Sequence, residues 1–311
     1  MNTTADISVI VSCYNYAAYV EEAIDSALAQ QHAAREVIVV DDGSTDGSRA
    51  LLQQRYANNS RVKLLLKDNG GQLSALRAGA AAASGAVLAF LDADDRWEHE
   101  HLRALATVYA ADPRADFVYT NLRYFGARDD LWDATAGDYD HGLSVLPTLI
   151  RYEWFGAPTS ALSMRTALAQ RVLALPTTTE ADWRVRADDC LIYGASLYGG
   201  RKRRLGAATA RYRVHQANLW LGTAHDPLGD LRQRYRVQSL IAYYANCAGL
   251  NADALRYARL EFSTKPQPTR KELQLYRDLL WQSAMPLGKK LEQWWAMGRH
   301  YWRTRSMGSV A

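Results

Sequence analysis

The chain has 311 residues and a mass of 34.8 kDa, with 37 Lys and Arg against 33 Asp and Glu, a formal net charge of +4. A hydrophobic fraction of 48% and a charged fraction of 23% exclude wholesale disorder, and the length suits one large domain or two smaller ones. The charge is unevenly spread: residues 1–95 carry −5, residues 96–200 carry −4 and residues 201–311 carry +13, an acidic body followed by a basic tail.

In the first 95 residues short β-branched runs alternate with helical stretches. Ile7–Ser12, Val37–Val40, Val62–Leu66 and Val87–Leu91 read as strands, with Tyr19–Gln30, Gly47–Tyr56 and Gln72–Ser84 as helices between them. This alternation makes βαβ units, so the chain is predicted to be α/β with a mostly parallel central sheet. Near-continuous apolar strands are what a sheet covered on both faces requires.

After residue 95 the rhythm changes. His99–Ala111 is predicted to be a helix and Phe117–Tyr124 a strand, followed by a long polar segment over 126–142 that suits a binding insertion. Helical patterns follow at Leu143–Tyr152, Arg165–Leu173 and Asp188–Tyr198, and the charge run Arg201–Arg204 reads as a solvated face, with nucleic-acid or acidic-lipid binding as the sharper alternative. From about Leu221 the pattern is helical only, with a Lys-Pro-Gln-Pro linker at 265–268. The expected division is therefore 1–220 and 221–311.

Three cysteines, Cys13, Cys190 and Cys247, have no metal-binding spacing, and the odd count fits a reducing compartment. The N-terminus lacks a basic leader, and Ala78–Leu91 is too short and interrupted to span a bilayer. A cytoplasmic protein, peripheral at most on the inner face of the cytoplasmic membrane, is expected.

Acidic clusters stand at strand ends. Asp41-Asp42-Gly43-Ser44 follows one predicted strand and Asp92-Ala93-Asp94-Asp95 another. In an open parallel sheet ligands bind beyond the carboxyl ends of the strands, so both clusters and Ser12–Asn15 are predicted to converge on one crevice. A single Asp there is commonly a helix cap. Three carboxylates within four residues repel unless a cation or ligand neutralises them. Oxygen ligation suits Mn²⁺ or Mg²⁺, which bridge carboxylates to phosphates, so a metal–diphosphate site is predicted.

Four blocks in register resemble family 2 glycosyltransferases of the GT-A fold: Ser8–Asn15, Val39–Asp46, Asn69–Gly71 and Phe90–Asp95. The likeness is strong over 6–110, weaker to about 220 and absent afterwards. It implies a nucleotide-sugar half over about 1–110, an acceptor half over about 111–220, and a transferase that moves a sugar from a nucleotide donor. By the resemblance Ser12, Tyr14 and Asp42 hold the base and ribose, and Gln72 adds a nucleotide contact. Asp92 and Asp94 match the DxD motif on ribose and cation, with Asp95 as an alternative metal ligand. An inverting member needs one carboxylate to deprotonate the acceptor hydroxyl. That base falls in Ala187-Asp188-Asp189, where Asp188 is preferred and Asp189 competes; the bland alternative is that both acids merely favour a helix N-terminus. Tyr212-Arg213-Val214-His215-Gln216-Ala217-Asn218 resembles a closing family segment whose Arg213 and His215 reach the diphosphate or the metal. His99 stands where members often carry Pro, and the Gln-x-x-Arg-Trp motif and membrane helices of processive synthases are missing, which favours single-sugar transfer.

The implied donor is a UDP-sugar by family habit, with GDP- and dTDP-sugars open. The implied acceptor is a glycan or lipid-linked glycan in bacterial surface polysaccharide assembly, such as O-antigen, capsule or exopolysaccharide. Nucleic acid is not an expected partner. Residues 265–311 hold nine Lys or Arg, three acids and four of the nine Trp. Their pattern suits an anionic membrane surface, or else a helix packed on its own domain or on a second subunit. A nucleotidyltransferase would need a Gly-rich phosphate loop after the first strand, which Ser12-Cys13-Tyr14-Asn15 lacks; a silent nucleotide-sugar-binding membrane adaptor would bind without turnover.

Overall fold

A computed structural model of the chain describes residues 5–135, 137–215 and 226–308. Its N-terminal part runs β1 (Ile7–Cys13), α1 (Val20–Leu28), β2 (Glu36–Asp42), α2 (Ser48–Tyr56), β3 (Val62–Lys67), α3 (Gln72–Ala82) and β4 (Val87–Asp92). These are the predicted βαβ units, each within a residue or two of its expected bounds. β1 is buried along its whole length because helices cover both faces of the sheet, which explains its unbroken apolar sequence. The helices are amphipathic: Val20, Ala23, Ile24 and Ala27 form the buried stripe of α1 at helical spacing.

The second part comprises β5 (Arg96–Trp97), α4 (His101–Ala111), β6 (Phe117–Gly126), β7 (Tyr139–Gly142), α5 (Val145–Arg151), β8 (Leu162–Arg165), α6 (Thr166–Val172), α7 (Asp188–Leu197) and β9 (Lys202–Val214). Among the described residues the strands form one sheet in the order β3-β2-β1-β4-β8-β6-β9-β5, with β7 also on β9. β3, β2, β1 and β4 are mutually parallel; β8 enters antiparallel between β4 and β6, and β9 runs parallel to β6. The order reverses at β1, which places the crevice beyond the ends of β1, β2 and β4.

The charge run at 201–204 is not a solvated face. It opens β9, and its cations meet acids from the preceding segment: Arg201 pairs with Asp140 at 2.8 Å, Arg203 with Asp112 at 3.5 Å and Arg204 with Asp133 at 2.8 Å. Lys202 is fully buried and donates to the carbonyls of Phe155 and Ile192. Burial without a carboxylate partner holds its ammonium well below the usual lysine range. The local charge hid the strand, because long-range partners make burial of these residues affordable.

The C-terminal part contains α8 (Pro227–Cys247), α9 (Ala258–Phe262), α10 (Arg270–Gln282) and α11 (Leu287–Gly308). The boundary expected at 220 lies outside the described residues, and packing divides later. Leu240, Ile241 and Tyr244 of α8 join the main core, where the Tyr244 hydroxyl donates to the Val172 carbonyl. A second core then gathers Leu146 with Phe262, Leu273, Tyr276, Leu280, Met297 and Tyr301. The segment read as a linker is tied down: buried Lys265 pairs with Glu272 at 3.1 Å and donates to the His141 carbonyl. Thr269 and Glu272 make a reciprocal capping box that starts α10 immediately afterwards.

Candidate active site

Strand register brings the acidic clusters together. Ser12 lies opposite Asp92 across β1 and β4, so its hydroxyl donates to Asp92 Oδ1 at 2.9 Å. Gln72, at the start of α3, donates to the same oxygen at 2.9 Å and to Thr159 Oγ1 at 3.3 Å. Its carbonyl oxygen accepts the Ala187 amide at 2.9 Å, so Gln72 spans from Asp92 to the helix that carries Asp188. A cleft of about 830 Å³ lies over these residues, lined by Ser12, Tyr14, Asp42, Gln72, Asp92, Asp94 and Asp188 among others.

The β2 end of the cleft is built from backbone. Asp42 accepts the Gly70 and Gly71 amides at 3.0 and 2.7 Å and pairs with Lys67 at 2.6 Å. Gly71 sits at φ +89, and a Cβ there would lie 2.5 Å from Arg184 Cα, so glycine is required where the loop before α7 crosses this turn. Arg184 itself bonds Asn69 and lines the cleft. Tyr14 is 45% exposed, an aromatic face open to a planar ligand.

Side-chain geometry turns three of the predicted site residues away from the cleft. Asp95 is not among the residues lining it: its two oxygens accept Ser160 Oγ at 2.6 Å and the Arg213 amide at 2.8 Å, tying the end of β4 to β9. Asp189 is likewise turned inward, accepting Trp154 Nε1 at 2.9 Å and Gln233 Nε2 at 3.2 Å and pairing with Arg186 at 3.0 Å. One step along α7 rotates a side chain by about 100°, which is why its neighbour Asp188 opens on the cleft instead. The Arg213 guanidinium donates to the Asp94 carbonyl at 2.7 Å, pairs with Glu22, and packs on the Tyr19 and Phe125 rings. It is not among the residues lining the cleft, and it holds Asp94's backbone in place.

His215 Nε2 lies 3.1 Å from Asp94 Oδ2, an imidazole and a carboxylate at the edge of the site. Asn218 of the same segment lies outside the described residues. Among the described residues no three His, Cys, Asp or Glu side chains converge to hold a metal on their own. The pair offers one oxygen and one nitrogen donor, the kinds of ligand a divalent cation takes.

The buried acids repel one another. Burial, then Asp94, pushes the Asp92 carboxyl up to about 6, and the same causes raise Asp95. Burial, then Asp189, pushes Asp188 up to about 7. Asp189 is also raised, chiefly by burial, against the opposing pull of Arg186. A carboxyl poised near neutrality is suited to accept and release a proton at working pH.

Sequence reasoning missed the other half of the cleft. Tyr124, Trp132, Trp154, Tyr193 and Tyr212 line the cleft together with Asp188, with the Trp132 and Trp154 rings 6.3 Å apart. These aromatics come from five separate segments, so no local spacing announces them together; only the prediction of a binding insertion over 126–142, which includes Trp132, and the closing family segment headed by Tyr212 pointed near them. Arg184 and Arg186, just before Asp188, were visible as charges but not as cleft residues.

Known proteins agree with this architecture. The model of Glycosyl transferase family 2 matches residues 8–171. An uncharacterized glycosyltransferase of Nostoc sp. (strain PCC 7120) is 35% identical over 222 residues, covering 70% of this chain and 67% of its own length. The putative teichuronic acid biosynthesis glycosyltransferase TuaG of Bacillus subtilis is 40% identical over 97 residues, covering 31% of this chain and 38% of its own. Among solved structures, residues 1–349 of S. aureus TarS, crystallised with UDP-GlcNAc, superpose with a TM-score of 0.57 at 20% identity. That match covers 95% of this chain and 80% of TarS 1–349, and at such low identity it speaks for the fold. With the family model spanning β1 to α6 and the sheet shared with TarS, the chain belongs to glycosyltransferase family 2 and adopts a GT-A-like fold.

Proposed function

We propose that this glycosyltransferase moves one sugar from a nucleoside-diphosphate sugar to a glycan hydroxyl by a single inverting displacement, with Asp188 as the base. The observation that carries the reading is the division of labour within the acidic pairs. Of the adjacent acids at the start of α7, Asp188 lines the cleft that Asp42, Asp92 and Asp94 also line, while Asp189 is bonded to Trp154, Arg186 and Gln233. The acceptor oxygen attacks the anomeric carbon as its proton passes to the Asp188 carboxylate, and the bond from that carbon to the diphosphate breaks. Asp94 and His215 would hold the divalent cation, which would stabilise the charge growing on the leaving diphosphate. The imidazole nitrogen in that pair favours Mn²⁺ over Mg²⁺.

Ser12, Tyr14 and Asp42 are assigned to the base and ribose, and the presence of UDP-GlcNAc in the TarS crystal supports a UDP-sugar as donor. The aromatic rings that line the cleft together with Asp188 suit the apolar faces of an acceptor sugar. The relation to TuaG supports a place in surface polysaccharide assembly. A thermal-shift series with UDP, GDP and dTDP, each with and without Mn²⁺, tests the donor. UDP with Mn²⁺ is expected to give the largest rise, on the order of 3 kcal/mol of stabilisation at 100-fold excess over Kd. A larger shift with GDP or dTDP overturns the base assignment. Release of UDP from candidate UDP-sugars then tests turnover.

Gln72 is assigned to positioning rather than to direct nucleotide contact, because its amide is already shared between Asp92 and the Ala187 amide. Gln72→Leu is expected to lower kcat about 10- to 100-fold with donor KM nearly unchanged, since it loosens Asp188 relative to the donor. Steady-state kinetics check this; a large rise in donor KM alone would return Gln72 to the nucleotide.

A further inference from the structure

Helix α11 has two faces of different fate. Met297 and Tyr301 are buried in the second core, and Trp294 lies half-buried beneath the Arg277 guanidinium, 3.9 Å from its ring centroid. The adjoining side exposes Leu287 (62%), Leu291 (43%), Trp295 (63%) and Trp302 (69%). Intervals of four, four and seven residues place these four in one stripe along the helix. Trp281 of α10, 43% exposed, adds a third indole beside it, where Lys290 Nζ donates to the Trp281 carbonyl at 2.8 Å and lies 5.9 Å from the ring. The tryptophans of the basic tail are thus divided, with Trp294 packed inward and Trp295 and Trp302 left outside.

The exposed stripe is flanked on one side by cations. Arg299 and Arg303 are exposed, and Arg299 follows Trp295 by four residues, as Arg303 follows Arg299. Across α11 five Lys or Arg face a single acid, Glu292, which pairs with Lys289 at 3.6 Å. Tryptophan at the boundary of an apolar stripe, with basic residues alongside, matches the two phases of a bilayer surface: acyl chains below and anionic headgroups around. A protein partner fits less well, because interface cores are depleted in lysine and a standard interface takes roughly 20–30 residues a side. This stripe offers five apolar side chains.

We infer that α11 lies in the plane of an anionic lipid surface, inserting Leu287, Leu291, Trp295 and Trp302 while Arg299 and Arg303 meet the lipid phosphates. Among the described residues no helix is long and apolar enough to cross a membrane, so the contact is superficial. This surface goes beyond the transfer reaction and does not depend on it, and its test uses no sugar donor.

The full chain is sedimented with vesicles of phosphatidylcholine alone or mixed with phosphatidylglycerol. Binding is expected to the mixed vesicles, with a blue shift of tryptophan emission and release at high salt. The combined change Trp295→Ala and Trp302→Ala should lower the bound fraction about tenfold. Arg299→Glu with Arg303→Glu should abolish the preference for phosphatidylglycerol. All four side chains are exposed, so both variants should keep the wild-type unfolding temperature, which separates lost binding from lost fold. Failure of the wild type to bind either vesicle, or binding unchanged in both variants, overturns the inference. So does a concentration-dependent dimer that dissociates in the double tryptophan variant without any vesicle binding, since that would give the face to a second copy.

Discussion

Asp188→Asn is expected to reduce kcat about 10³-fold while leaving donor affinity within a few-fold of wild type. Removing a general base typically forfeits about 10²–10⁴ in rate, and the amide keeps the size and polarity of the carboxyl at the edge of the cleft. Asp189→Asn should cost far less in kcat, because that side chain is bonded to Trp154, Arg186 and Gln233 and does its work in holding α7. Steady-state kinetics with isothermal titration of UDP separates the two; equal losses would sink the assignment of the base. The rate of the wild type should climb with pH through about 7, where Asp188 loses its proton. That limb should vanish in the residual activity of Asp188→Asn.

The same residue makes a stability prediction with a definite sign. Its carboxyl is raised from the ordinary 3.8 to about 7, so folding favours the protonated form. The stability it contributes is complete below about 4 and is lost as pH rises through about 7. At pH 8 the buried charge costs on the order of 1 kcal/mol after allowance for its partial access to the cleft. Asp188→Asn should therefore melt about 2–4 °C above wild type at pH 8, with the gap closing near pH 4. A gain in stability joined to a loss of rate is the signature of strain stored for function, and a merely structural Asp would show the opposite.

The second large effect is expected at Asp94. Asp94→Ala should lower kcat/KM about 10²–10³-fold, the usual consequence of removing one stabiliser of developing charge. It should also shift the Mn²⁺ concentration needed for half-maximal rate upward. His215→Ala should weaken the same Mn²⁺ dependence by about tenfold, the smaller loss reflecting a neutral ligand in place of a charged one. Asp95→Asn is the informative contrast. Its oxygens bond Ser160 and the Arg213 amide away from the cleft, so it should leave the Mn²⁺ requirement unchanged. Initial rates over a Mn²⁺ titration decide between these outcomes, and an Asp94 variant with wild-type metal dependence would remove the proposed cation site.

How much of this was legible in residue order depends on the range over which each feature is specified. The four N-terminal strands and the three helices between them were readable because each carries its own period and turn residues, and a buried parallel strand must be apolar throughout. The convergence of Ser12, Asp42, Asp92 and Asp94 followed from the rule for strand ends in parallel sheets. β9 was not readable, since its Arg and Lys look solvated until Asp112, Asp133 and Asp140 are brought beside them from up to 91 residues away. Nor was the part of α8 that joins the main core, whose Tyr244 finds its partners at Val172 and Cys190.

Composition and motif spacing established an α/β chain, an acidic crevice at the strand ends and a basic, tryptophan-bearing tail. Which acid of each pair faces the crevice was settled by tertiary structure alone. Neighbouring residues differ by one helical step or one loop dihedral, and the choice falls to whatever surrounds them. Ser160 and the Arg213 amide claim Asp95; Trp154, Arg186 and Gln233 claim Asp189; Asp94 and Asp188 are left to the cleft. The tail divided in the same way, since a helical period marks a stripe but only the packing of α9 and α10 decides which tryptophans that stripe leaves in water.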